Sequence, residues 1–183
     1  MSNRRRRAVN AYEFTLRFAL PSADADMDSL LESLAEEGCD DALIGIGAPG
    51  RIALDFNRSA ASAQEAVFGA IGDVRRAVPG AELIEATPDL GGVTDIADVV
   101  GCSRQNIRQL MAASGASAPV PIHEGKQAVW HLAPVLDWLA REKNYEVDRN
   151  LRDLAEVTMQ INIGADSMRC DVNVQAEIRA LFA

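Results

Sequence analysis

The sequence predicts an α+β protein made of two small folded units and a helical tail, and three observations carry that prediction. "YEFTLRFAL" alternates strictly, with Tyr12, Phe14, Leu16, Phe18 and Leu20 on one face, the period of a half-buried strand. Further strand-like runs and two helical stripes follow before Pro88. From Val93 the pattern changes to two short helices separated by a glycine. At 183 residues the chain can bury one sizeable core or two small ones. Its 48% hydrophobic and 25% charged residues are those of an ordinary globular protein.

The first unit is predicted over residues 11–88. Pro21 closes the opening strand, and "MDSLLESLAEEGCDD" sets Leu30, Leu31 and Leu34 at helical spacing with Gly38 at the C-cap. "ALIGIG" is a second strand, and Ile52, Leu54 and Phe56 alternate in a third. "SAQEAVFGAIGDVRRAVPG" places Val67, Ile71, Val74 and Val78 on one stripe that stops at Pro79-Gly80, and "AELIEA" is a fourth strand ended by Pro88. The order β-α-β-β-α-β resembles the ferredoxin-like α/β sandwich.

Gly45, Gly47 and Gly50 spell G-x-G-x-x-G, the pattern of a dinucleotide-binding loop. That loop works only where a helix follows it and points its N–H groups at the pyrophosphate. Here a strand follows, so the segment reads as a hairpin connection with Pro49-Gly50 as turn residues, and no cofactor is implied. Glu36, Glu37, Asp40 and Asp41 read as a solvated acidic helix end.

The second unit spans residues 92–143. Thr94 can cap a helix from Asp95 to Val100, Gly101 permits a left-handed turn, and Ser103 can cap a second helix from Arg104 to Ala113. Ala97, Gly101, Ile107 and Leu110 have the spacing at which two crossed helices pack. "TDIADVVGCSRQNIRQLM" resembles the entry segment of helix-turn-helix regulators of the MerR and AlpA/excisionase type. "PVPIHEGKQAVWHLAPVLDWL" resembles their wing and the helix after it. Val120 and Ile122 would form one wing strand, Glu124-Gly125-Lys126 the tip, and Val129 to His131 the return strand. Pro134 opens the next helix, whose Val135, Trp138 and Leu139 would pack on the core.

That resemblance implies a DNA-binding protein. The candidate contacts are Ser103, Arg104, Gln105, Asn106, Arg108 and Gln109 on the second helix and Lys126 on the wing. Arginine suits guanine, asparagine and glutamine suit adenine, and the N-terminal part of a recognition helix reaches the bases. His123 and His131 flank the wing tip without the partners of a zinc site. Trp130 and Trp138 read as core residues.

The net charge of −9 is unevenly spread. Residues 1–7 carry four Arg and no acid, and residues 8–91 carry five Arg against fifteen acids. No acidic residue occurs from Val99 to His123. Residues 1–10 read as a basic disordered arm without the apolar core of a secretory signal, and no apolar run reaches the ~18 residues of a membrane span. Cys39, Cys102 and Cys170 have no C-x-x-C spacing and read as buried small hydrophobes in a reducing cytoplasm.

In residues 145–183, Val147, Leu151, Leu154, Ala155 and Thr158 form a narrow helical stripe. A break at Gly164 to Ser167 precedes a shorter helix with Val174, Ile178 and Leu181. Such helices either dock on the preceding units or pair two chains. The expectation is a non-enzymatic, cytoplasmic, bacterial-type transcriptional regulator binding double-stranded DNA as a homodimer, with a small-molecule or protein effector at the N-terminal unit left open. The competing expectation is a protein-binding adaptor or antitoxin-like module whose acidic first unit is the contact surface. No nucleophile, base and orienter can be assembled into an enzyme.

Overall fold

The alternation in the opening strand places Tyr12, Phe14, Leu16 and Phe18 beneath one face of β1 (Asn10–Ala19). The computed structural model describes residues 9–24 and 26–182. In it β1 lies inside a four-stranded antiparallel sheet of order β2-β3-β1-β4, with β2 (Ala42–Ile46), β3 (Arg51–Ala60) and β4 (Glu82–Thr87). Helices α1 (Met27–Glu36) and α2 (Ala63–Ala77) supply Leu30, Leu34, Val67 and Val74 to the core shared with Leu16, Phe18 and Leu54. Asp26 caps α1, and Gly38 follows it at φ +97°, the left-handed position expected after a helix. Leu31 is exposed, a correction to its expected burial. It lies one residue from Leu30, about 100° around the helix.

A second core forms around Ile96, Ala97, Ile107, Trp130, Leu136 and Leu139. It is built by β5 (Leu90–Gly91), α3 (Val93–Val99), α4 (Arg104–Ser114), a 3-10 turn (Gly115–Ser117), β6 (Trp130–His131) and α5 (Leu132–Glu142). Strand β5 pairs antiparallel with β6. Two residues carry no periodicity, so β5 was not expected from the sequence. The predicted wing strand is also reduced. Only His123 and Val129 bridge, with Ile122 N–H donating to Val129 O at 2.8 Å, while Val120 is 84% exposed.

Helix α6 (Arg149–Met168) spans both cores, with Leu154 in the first and Ala155 in the second. It continues through Gly164, so the expected break is displaced to residues 169–171, where Asp171 caps α7 (Val172–Leu181). The docking of α6 is what sustains a helix across a glycine costing about 1 kcal/mol. Side chains of α6 and of its C-cap residue Arg169 also occupy the outer edge of β4. Asn162 accepts from Ala86 N–H and donates to Ala86 O, both at 2.8 Å, and Arg169 donates to Leu83 O at 2.6 Å. Thr158 donates to Pro88 O.

Between the cores, the fully buried Asp89 carboxylate accepts from His131 Nδ1 at 2.6 Å and Asn162 Nδ2 at 2.7 Å. Leu132 N–H donates to Asp89 O at 2.6 Å. The polar joint thus ties β6 and α6 to the segment leaving the sheet. Of the predicted basic arm, residues 1–8 lie outside the described residues, and Asn10 already belongs to β1. Among the described residues, no helix is long and apolar enough to cross a membrane.

Candidate nucleic-acid interface

Helices α3 and α4 meet through a turn that depends on Gly101. Its φ is +67°, and a Cβ there would meet no atom within 4 Å, so backbone conformation is what calls for glycine. Cys102 N–H then returns to Ala97 O at 2.9 Å. Ala97 and Ile107 are fully buried, as the helical-pair spacing predicts. The start of α3 is a correction, because Thr94 lies inside the helix. Gly92 is the N-cap, its N–H donating to the Asp95 carboxylate at 2.7 Å.

Ser103 caps α4 as expected, its Oγ accepting from Asn106 N–H at 3.2 Å. Arg104, Gln105, Arg108 and Gln109 are exposed on the first two turns. Arg104 Nη1 reaches Thr94 Oγ1 at 3.5 Å, and among the described residues neither arginine has an ion-pair partner. Asn106 departs from this set. It is half-buried, and its Nδ2 donates to the Tyr145 hydroxyl at 2.7 Å. Tyr145 had no periodic signal in the sequence because it sits in the connection between α5 and α6.

Lys126 is exposed on a loop closed by the His123–Val129 bridge. Gly125 lies against His123, where an added Cβ would come within 2.7 Å of the imidazole Nε2. Trp130 Nε1 donates to Pro119 O at 3.0 Å and so ties the start of this loop to β6. Both tryptophans are buried, as expected. The arrangement is one helix with an exposed, acid-free Arg/Gln face, plus a loop tip on which Lys126 stands beside Glu124. It offers hydrogen-bond donors to an anionic or base-edge partner.

The other clusters singled out in the sequence resolve differently. Pro49-Gly50 is the β2–β3 turn, with Gly50 at φ +73° and Arg51 N–H donating to Ala48 O at 3.0 Å, as a type II turn requires. The acidic helix end is a correction, since two of its four members are ion-paired. Arg58 makes a bidentate contact to Asp41 at 2.7 and 2.8 Å and reaches Asp73 at 2.5 Å, while Arg76 bonds Glu37 at 2.9 Å. Bonding to Asp41 above all, and to Asp73, raises the Arg58 pKa against the opposing effect of burial. Arg58 and Asp73 were missed because their pairing joins β3 to α2. Cys39 is buried, but Cys102 is half-buried and Cys170 exposed, correcting the expectation that all three are interior.

No family model matches this chain, and no curated protein or solved structure does.

Proposed function

We propose that this chain is a sequence-specific DNA-binding protein, a bacterial-type transcriptional regulator. In this reading the βαββαβ unit is a ferredoxin-like sandwich over residues 11–88, and residues 92–143 are a winged helix-turn-helix. Helix α4 enters the major groove with Arg104, Gln105, Arg108 and Gln109 toward the bases, and Lys126 meets the phosphate backbone. Asn106 instead holds α4 to Tyr145 and so orients the reading helix. The setting is cytoplasmic, and two copies match two half-sites. The observation that carries the proposal is the acid-free α4 face with its two unpaired arginines, unlike the mixed Glu/Lys face of an ordinary solvated helix.

The test is recovery and sequencing of bound genomic fragments at two salt concentrations, followed by affinity measurements on the recovered sequence. Arg108→Ala should lose about 1–3 kcal/mol per site, roughly fivefold to over a hundredfold, at nearly unchanged Tm. Lys126→Ala should weaken all sequences alike and lower the salt slope by about 1. Full affinity in both Arg104→Ala and Arg108→Ala would remove α4 as the reader and leave a protein-binding adaptor in its place.

A further inference from the structure

Among the described residues, helix α7 and the groove between α2 and α6 each present exposed apolar side chains. Helix α7 has no buried residue. Val174, Ile178 and Leu181 recur at i, i+4 and i+7, the spacing of anchors on a helix that lies in a groove, and they are 53%, 45% and 80% exposed. Phe182, 87% exposed, continues the patch. The groove has a volume of about 810 Å³ and is walled by Phe68, Ile71, Leu83, Ile161 and Met168. Phe68 is 53% and Met168 79% exposed there.

We propose that α7 of a second copy of this chain occupies the groove, and that two copies exchange these helices reciprocally. The connection between α6 and α7 keeps α7 off its own groove. Asp171 accepts from Asn173 N–H at 2.8 Å and Val174 N–H at 3.2 Å, and Gln175 Nε2 donates to Ser167 Oγ at 2.9 Å. The Asp171 cap travels with α7, but folding the helix back would break the Gln175–Ser167 bond that ties it to the end of α6, a loss that a helix brought by a second copy avoids. Charges match as well. Glu177 borders the apolar stripe of α7, and Arg75 lines the groove. Neither is ion-paired among the described residues. A ten-residue helix is only about 15 Å long, so a single contact is small. Twofold exchange doubles it, toward the roughly 1,200 Å² of a stable interface. The proposal does not depend on DNA binding.

Light scattering of the full chain should give twice the chain mass. Ile178→Glu and Phe68→Glu alter exposed side chains, so each variant should keep its circular dichroism spectrum and sediment as a monomer. A monomeric wild type or a dimer that survives both substitutions overturns the exchange. In a Cys170→Ser background, Phe68→Cys combined with Ile178→Cys should crosslink between chains. A crosslink confined to one chain would show α7 in its own groove and refute the second copy.

Discussion

Replacing Asp89 by alanine tests how firmly the two cores are joined. The carboxylate is fully buried and accepts two hydrogen bonds, at 2.6 Å from His131 Nδ1 and 2.7 Å from Asn162 Nδ2. Bonds to a charged acceptor contribute about 1.5–3 kcal/mol each. Two effects reduce the net loss. Removing a buried charge recovers its desolvation cost, and Asn162 keeps both of its bonds to Ala86. The backbone bond from Leu132 N–H to Asp89 O also survives the substitution. The expected destabilisation is therefore about 2–3 kcal/mol, read as a lower urea midpoint at constant slope and a Tm fall of roughly 5–10 °C. Asp89→Asn should lose about half as much. Its carbonyl still accepts from Asn162, and its amide can donate to His131 once the ring proton moves to Nε2. A double-mutant cycle of Asp89→Ala with His131→Ala should show coupling above ~0.5 kcal/mol. An unchanged or higher midpoint in Asp89→Ala would refute the reasoning, because the joint would then be held by apolar contact alone.

Arg58→Ala should cost about 3 kcal/mol in urea unfolding, near the low end for breaking a buried ion pair, since Asp41 keeps 30% exposure and Asp73 keeps Arg76. A loss below ~1 kcal/mol would show that the network is solvated. Burial, reinforced by Asp73, pushes the Cys39 thiol up to about 11 from 9.0. Between those values the unfolded thiol ionises while the folded one keeps its proton, so Cys39 should lower stability as pH rises from about 9 to 11. Cys39→Ala should flatten that part of the Tm–pH curve, and an identical curve would contradict the shift. Gly101→Ala should lose about 1–2 kcal/mol through its left-handed φ of +67° alone. A loss above ~3 kcal/mol would point to a steric clash that the open space around Gly101 excludes.

Period and turn chemistry are local, and they were legible in the sequence by itself. The alternation from Tyr12 to Phe18 marked one buried face, and Pro49-Gly50 marked a hairpin turn where a nucleotide loop had been the competing reading. Ser103 marked the start of α4, and the spacing of Ala97, Gly101 and Ile107 marked the helical pair. The exposure of Arg104, Gln105, Arg108 and Gln109 followed, because residues that leave the apolar stripe of an amphipathic helix face outward.

Contacts between distant segments were decided only by the tertiary structure. Asn106 looked like its neighbours until Tyr145, 39 positions later, took its amide. The strand pairing of Leu90 and Gly91 exists only because Trp130 and His131 return beside them. Helix α6 carries one stripe in sequence but faces two cores, since Leu154 and Ala155 diverge by about 100° and each finds a different wall. The acidic run near Asp41 was read as solvated because nothing local places Arg58 and Asp73 beside it. A side chain's period reports which way it points, and only the assembled chain sets what it meets there.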